Sequence, residues 1–99
     1  MKVTTIELSL IQSILTKYLN SENTLAFAFG SRVAGSARAD SDLDLMLRAK
    51  SKVEPATLSH LKEEFENSNL PFKVDLIDES AMSDDFKAKI KDCLELIPF

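Results

Sequence analysis

The seven residues from Ser41 to Leu47 alternate in type with a period of two, and this alternation constrains the fold more than any other feature of the chain. Side chains two positions apart in a β-strand lie on the same face. One face of this segment holds Leu43, Leu45 and Leu47, and the other holds Asp42, Asp44 and Met46. The pattern predicts a strand with an apolar face and, on the opposite face, two neighbouring carboxylates.

Two further strands are predicted before and after this segment. In "TLAFAF", Thr24 to Phe29, large and small apolar residues alternate, so that both faces are apolar, as in a strand inside a sheet. The segment "FKVDLI", Phe72 to Ile77, follows Pro71 and predicts the third strand.

Three helices are predicted from apolar residues at helical spacing. The first covers Thr5 to Leu19, and the second has Pro55 in its first turn and ends near Asn67 to Asn69. The third begins at Ser83 and is ended by Pro98. Its inward face is expected to carry Phe86, Ile90, Cys93 and Leu94.

The overall composition is that of an ordinary globular domain. The chain has 99 residues, of which 44% are hydrophobic and 28% charged, with a net charge of −4. We expect a single domain over residues 1–99. No apolar run reaches the roughly 18 to 20 residues of a membrane span, and Met1 to Leu15 lacks the layout of a signal peptide, so a cytoplasmic location is expected. The acidic balance disfavours nucleic acid as a partner, because such binding needs clustered Lys and Arg.

The paired acids Asp42 and Asp44 suggest a metal site. On one face of a strand their Cα atoms are about 6.5 to 7 Å apart, so both carboxylates can lean onto one ion, or onto two ions about 3.5 to 4 Å apart. Oxygen-only ligands suit Mg²⁺ or Mn²⁺ better than Zn²⁺. The alternative is a solvated sheet face, although Asp is a poor strand former.

Gly30 directly follows the apolar strand and precedes Ser31. A glycine at such a turn lets the main chain approach a phosphate, to which the hydroxyl and the nearby backbone N–H groups can donate. The alternative is an ordinary turn, since the segment matches neither the Walker nor the dinucleotide-binding pattern. Beside two metal-binding carboxylates, a phosphate site would complete a nucleoside-triphosphate centre.

A third carboxylate is expected on the third predicted strand, where Asp75 and Asp78 are the candidates. Asp78 lies at the end of the strand, where turn formation explains an acid. Asp75 lies in the middle and points away from Val74 and Leu76. Because a buried acid in mid-strand is harder to explain by structure alone, Asp75 is predicted to belong to the site.

The spacing of these residues resembles a known signature. Gly30-Ser31, ten residues and then Asp42-Leu43-Asp44 resemble the polymerase-beta-like nucleotidyltransferases, and most of all their short branch, the MNT or MntA-like antitoxins encoded beside a HEPN-domain toxin. The order of helices and strands agrees over nearly the whole chain, including the later "VDLI" strand. The resemblance implies a polymerase-beta-like α/β (α+β) fold, with helices packed on one face of a small mixed β-sheet.

The resemblance also implies how ATP is held. Gly30 and Ser31 would hold the triphosphate, and Arg32 would neutralise phosphate charge unless it is an ordinary surface arginine. The chain departs from many relatives at Ala34, where they carry a second arginine, and at Ala39, where proline is frequent. The missing positive charge is expected to weaken triphosphate binding or to alter the choice of acceptor.

The remaining implied roles concern the metal ions. By the resemblance, Asp42 and Asp44 would coordinate two Mg²⁺ ions, with Mn²⁺ as the alternative metal. Asp75 would be the third acid of the metal site and would help to activate the attacking hydroxyl. Arg38 and Ser41 also match frequent family positions, without an assigned role.

Other chemically notable residues have structural explanations. Cys93 is the single cysteine, and its place in a helical pattern predicts a core thiol rather than a nucleophile. His60 has no second ligand at suitable spacing, which predicts a surface position. Phenylalanines are expected in the core rather than against a nucleobase. The set comprises Phe27, Phe29, Phe65, Phe72 and Phe86.

The resemblance implies a Mg²⁺-dependent transfer of AMP from ATP to a hydroxyl of a partner HEPN toxin. In the family this hydroxyl belongs to a tyrosine. The protein would thus be an antitoxin in a hetero-oligomer. The sheet face that carries Asp42 and Asp44, opposite the helices, is expected to face the partner. One alternative is a non-catalytic antitoxin that blocks its partner by contact. Another is a small-molecule transferase acting on an antibiotic-like alcohol. Such enzymes usually carry a second, substrate-binding domain, for which 99 residues leave no room.

Overall fold

The first helix is held at its N-terminus by two reciprocal hydrogen bonds. The computed structural model describes residues 2–30 and 41–99, and in it α1 covers Thr5–Tyr18. The Thr4 hydroxyl accepts from the Glu7 N–H at 3.1 Å, and the Glu7 carboxylate accepts from the Thr4 N–H at 2.9 Å. This capping box fixes where the chain enters the helix.

The sheet contains four strands in the order β3-β2-β1-β4. Strand β1 covers Thr24–Phe29 and β2 covers Leu43–Ala49. Strand β3 covers Val74–Asp78 and β4 covers Glu95–Ile97. β1 pairs antiparallel with β2 and β4, whereas β2 and β3 are parallel. Parallel strands cannot be joined by a tight turn and need a crossover connection. Helix α2, which covers Pro55–Glu66, forms this connection between β2 and β3. The expected mixed sheet is confirmed.

The larger hydrophobic core lies between one face of the sheet and the helices α1 and α2. The register places Ala26 opposite Leu47 and Ala28 opposite Leu45, so each small residue of β1 lies beside a large one of β2. The helices supply further buried side chains, which are Ile11, Ile14 and Leu15 from α1 and Leu61 and Phe65 from α2. On this face the predicted packing of helices is confirmed.

The opposite face of the sheet carries a second, smaller apolar cluster. Its buried members are Phe29, Met46 and Met82, against which Phe27, Ile77, Ile90 and Leu94 pack. Helix α3, Asp84–Ile90, contributes Ile90 to this cluster and therefore lies over this face, away from α1 and α2. The face that carries Asp44 is thus partly covered by protein, not open throughout.

The C-terminal segment differs from the predicted single helix. Helix α3 ends at Ile90, not at Pro98, and a 3₁₀ turn follows at Lys91–Cys93. The next residues form β4, whose Ile97 is only 1% exposed and pairs with β1. Cys93 is exposed, so its predicted core position is wrong. The burial of Ile97 explains why a strand, and not more helix, ends the chain.

Two residues outside the strands lie as predicted. His60 is exposed, with its ring centroid 6.0 Å from that of Tyr18. The hydroxyl of Ser83 accepts from the Phe86 N–H and so caps α3. Within residues 2–30 and 41–99, none of the helices has the length and apolarity needed to span a bilayer.

Candidate functional site

Gly30 and Asp44 meet where β1 ends and β2 begins. Phe29 pairs with Asp44, so the next residue, Gly30, comes beside the Asp44 side chain. Gly30 has a φ of +83°, in the left-handed region that favours glycine. A Cβ at this position would overlap Oδ2 of Asp44 and lie 3.3 Å from its Cγ. The turn therefore favours a glycine, and a side chain here would displace the carboxylate.

Asp44 and Asp75 lie side by side on neighbouring strands. The parallel register of β2 and β3 makes them partners. Both lie on the face away from the main core, since the residues that follow them, Leu45 and Leu76, are buried in that core. Neighbouring strands are about 4.8 Å apart, which brings the two carboxylates close together.

Asp42, Asp44 and Asp75 form an electrostatically coupled group, here named the acid trio. Partial burial raises the pKa of Asp44 above its ordinary value, and the charges of Asp75 and Asp42 raise it further. Asp42 and Asp75 are exposed. Asp75 is the second residue of β3 and not the buried mid-strand acid of the prediction. A cation would stabilise the charged form of Asp44, which burial and the two neighbouring carboxylates disfavour.

Asp78, the other candidate for the third acid, has a structural role. It is 6% exposed, and its two oxygens accept from the N–H groups of Val53 at 3.0 Å and Ser80 at 2.9 Å. Burial acts to raise the pKa of Asp78, but these hydrogen bonds, together with the Ser80 side chain and the charge of Lys52, outweigh burial and hold the pKa below its ordinary value. Asp78 thus ties the segment before α2 to the turn after β3, as expected of an acid at a strand end.

Lys73 places a positive charge next to the acid trio. Its Nζ lies 3.4 Å from Oδ1 of Asp75. In the part of the chain that the structure describes, no three Asp, Glu, His or Cys side chains are already arranged to hold a metal ion. The donor set still fits a hard divalent cation, because all three groups are carboxylates and the charges of Asp75 and Asp42 disfavour the charged form of Asp44.

Two cavities open beside the acid trio and share Asp75 and Leu76. The glycine-side cavity, of about 540 Å³, is bounded by Gly30, Asp44, Ile77 and Ile90 and by the rings of Phe29 and Phe86. These rings meet edge to face with centroids 5.9 Å apart. Phe86 is 38% exposed, so it borders this cavity and is not the core residue of the prediction.

The second cavity, the β3 groove, has a volume of about 860 Å³. It runs from Asp42 and Asp75 along β3 towards the C-terminal end of α2. Phe65, Phe72 and Leu76 are its buried apolar lining, at 3%, 7% and 7% exposure. The acid trio therefore lies between an aromatic cavity under α3 and a longer groove beside α2.

A model of the family described as "Polymerase beta, Nucleotidyltransferase" matches residues 10–97. The chain belongs to this nucleotidyltransferase family. A protein of Haemophilus influenzae named "Probable protein adenylyltransferase MntA" is 38% identical to this nucleotidyltransferase over 85 residues, which are 86% of the chain and 73% of the relative.

Solved structures share the fold of this nucleotidyltransferase. A chain of a toxin–antitoxin crystal structure with AMP-PNP gives a TM-score of 0.74 at 21% identity, over 92% of this chain and 72% of that chain. A chain from the complex of a tri-AMPylated Shewanella oneidensis HEPN toxin with its MNT antitoxin gives 0.68 at 18% identity, over 94% and 70%. The predicted polymerase-beta-like fold is confirmed.

The structure brings together Gly30 and the acid trio at one end of the nucleotidyltransferase sheet. The other residues singled out in the loop lie outside the described residues, namely Ser31, Arg32, Ala34, Arg38 and Ala39. Lys73 is an addition to the site, since sequence reasoning gave it no role there. The available signal was its position two residues before Asp75, which puts both side chains on the same side of the strand.

Proposed function

We propose that this nucleotidyltransferase transfers AMP from ATP to a tyrosine hydroxyl of a HEPN-domain toxin and thereby acts as its antitoxin. The observation that carries the proposal is the register that sets Asp44 between Gly30 and Asp75. A protein acceptor is supported by the relative named as a probable protein adenylyltransferase and by the fold shared with a chain of a complex between an AMPylated HEPN toxin and an MNT antitoxin. We further propose that the chain is one minimal domain, works in a hetero-oligomer and is cytoplasmic.

The acid trio is proposed to hold two Mg²⁺ or Mn²⁺ ions. Asp42, Asp44 and Asp75 offer only carboxylate oxygens, which suit these metals. Burial and, after it, the charges of Asp75 and Asp42 raise the pKa of Asp44, and bound cations would stabilise its charged form. Such ions, when bound, polarise the α-phosphate and stabilise the leaving pyrophosphate.

The glycine-side cavity is proposed to take ATP. Gly30 would let the main chain approach the triphosphate, and Ser31 and Arg32 are its proposed further ligands. Phe29 and Phe86 give the cavity apolar and aromatic walls that suit an adenine ring. AMP-PNP in a toxin–antitoxin structure of the same fold supports an adenine nucleotide as the donor.

Asp75 is proposed to accept the proton of the acceptor hydroxyl. The hydroxyl oxygen forms a bond to the α-phosphorus, while the bond from this phosphorus to the pyrophosphate oxygen breaks and pyrophosphate leaves with the electron pair. Asp75 suits this role because it is exposed and borders both cavities.

Intact-mass spectrometry tests the proposal. The HEPN-domain protein, mixed with this protein, ATP and Mg²⁺, should gain AMP on a tyrosine, and Asp44→Asn should abolish the gain. Asp92→Asn is the matched control, since it makes the same change at an exposed residue of the 3₁₀ turn before β4. A complex that blocks the toxin without added mass, equally with Asp44→Asn, would instead identify a non-catalytic antitoxin.

A further inference from the structure

We propose that the β3 groove receives the acceptor, and that its occupant is an extended peptide segment of the partner protein that carries the target hydroxyl. The reaction itself rests on the proposed function above. The location rests on the arrangement of the two cavities, on the composition of the groove and on the position of β3 in the sheet.

The two cavities reach the acid trio from different sides. Gly30 and Asp44 border only the glycine-side cavity, Asp42 borders only the β3 groove, and Asp75 borders both. The glycine-side cavity is bounded by α3 and the groove by α2, helices that lie over opposite faces of the sheet. Phosphoryl transfer sets the attacking and leaving oxygens roughly in line. With the triphosphate at Gly30, the hydroxyl arrives from the groove.

The lining of the groove suits a chain segment better than a single small alcohol. Its volume of about 860 Å³ exceeds that of the glycine-side cavity, and apolar side chains from both α2 and β3 form its floor. Peptide side chains on either side of the modified residue would cover this apolar floor. A hydroxyl group alone would leave most of it in water.

The sheet offers an edge along the groove. Among the described strands, β3 has β2 as its one neighbour, which leaves its outer side free of ladder partners. An extended peptide can pair with such an edge through its main chain. Its side chains then alternate between the two faces, so that one hydroxyl can face Asp75 while its neighbours lie over the groove.

The rim of the groove carries unpaired charges of both signs. Lys62 and Glu66 lie one turn apart on α2 and are exposed. Neither has an ion-pair partner among the described residues. We therefore expect the bound segment to present a carboxylate towards Lys62 and a cation towards Glu66.

A pair of matched variants tests the location. Glu66→Trp places a large ring in the groove, whereas Glu63→Trp makes the same change on the same helix, in the hollow formed with Tyr18 and His60. Both positions are exposed. The melting temperature of each variant checks that it is folded. Glu66→Trp should raise the KM for the HEPN-domain partner at least ten-fold and leave the Kd for ATP unchanged. Glu63→Trp should leave both constants unchanged.

A photo-crosslinking residue at position 66 or 63 gives a readout that does not need transfer. In the Asp44→Asn background, position 66 should capture the partner segment that carries the target hydroxyl, and position 63 should not. If position 66 captures the partner segment but the wild type transfers no AMP, the groove would still be the binding site of the partner, and the proposed reaction would be refuted. AMP transfer with an unchanged partner KM in Glu66→Trp would overturn the groove and keep the reaction. A raised Kd for ATP in Glu66→Trp would assign the groove to the nucleotide and would also overturn the proposal.

Discussion

Gly30 lies so close to the Asp44 carboxylate that a Cβ on residue 30 would overlap its Oδ2 atom. Gly30→Ala should therefore be destabilising in two ways. The left-handed backbone costs an alanine about 1–2 kcal/mol, and the new methyl group would push the carboxylate away from Asp75. We expect a lower free energy of unfolding in urea and weaker metal binding in the same variant.

A double-mutant cycle separates the two effects. In an Asp44→Ala background the overlap with the carboxylate is absent, so Gly30→Ala should cost only the backbone part. An equal loss of stability in both backgrounds would contradict a role for the close approach of Gly30 and Asp44.

The charge of Asp44 should destabilise the metal-free protein. Because the pKa of Asp44 is raised in the folded state, the native protein binds more protons than the unfolded chain at pH values above the ordinary pKa of 3.8. The free energy of unfolding therefore falls as the pH rises from the ordinary pKa to the raised pKa of the folded state. Without metal, Asp44→Asn should melt at least as high as the wild type at pH 7, and any gain should vanish near pH 4. Melting temperatures in EDTA across this range check the sign.

Metal and nucleotide should reverse this order. Mg²⁺ with ATP binds the native state, so it should raise the melting temperature of the wild type. Asp44→Asn should lose most of the rise, because one ligand of the acid trio is gone. An equal rise in both proteins would place the metal site elsewhere.

Asp78 should show the opposite pH dependence. Its pKa is lowered in the folded state, so its stabilising effect is complete above the ordinary pKa of 3.8 and is lost as the pH falls through the folded value. Asp78→Ala leaves the N–H groups of Val53 and Ser80 without their acceptor. We expect a loss of about 1–3 kcal/mol in urea denaturation at pH 7. The exposed-site variant Asp92→Ala should show little loss, and similar values for both would refute this role.

The sequence predicted the faces of β1 and β2 because side-chain alternation is a property of the strand backbone itself. Leu43 and Leu45 are buried in the main core, and Asp44 lies on the other face. The same alternation predicted that Asp75 points away from Val74 and Leu76 but did not reveal that Asp75 is exposed. Exposure depends on what packs over a strand, which its own residues do not specify.

β4 could not be predicted from local pattern. Ile90, Cys93 and Leu94 recur at helical spacing, and a strand of three residues is too short to show a period of its own. Its formation depends on pairing with β1 and on the burial of Ile97. The contact between Gly30 and Asp44 was likewise hidden, because it follows from the register between two strands and not from either strand alone.

The ion pair of Lys73 and Asp75 should compete with metal binding. The ammonium lies 3.4 Å from a carboxylate oxygen that the metal is proposed to use. Removing it with Lys73→Ala should tighten Mn²⁺ binding in the absence of nucleotide by up to about five-fold, the upper range for an exposed ion pair. Lys62→Ala is the control, since it removes the same charge from the rim of the same groove. Isothermal titration with Mn²⁺ measures both, and unchanged affinity in Lys73→Ala would show that the pair does not restrain Asp75.

Phe86 should contribute more to nucleotide affinity than to stability. Its ring meets Phe29 at the wall of the glycine-side cavity and is 38% exposed, so truncation removes less buried area than it would at a core phenylalanine such as Phe65, which is 3% exposed. Stacking of a base on an aromatic ring contributes about 1–3 kcal/mol, so Phe86→Ala should weaken ATP binding about five-fold or more. Leu96→Ala is the control, because Leu96 is 51% exposed, comes from β4 and does not line the cavity. Calorimetric titration with a non-hydrolysable ATP analogue and Mg²⁺ distinguishes the two variants. Equal affinities in Phe86→Ala and the wild type would move the adenine ring out of this cavity, whereas a selective loss in Phe86→Ala would leave the β3 groove free for the acceptor.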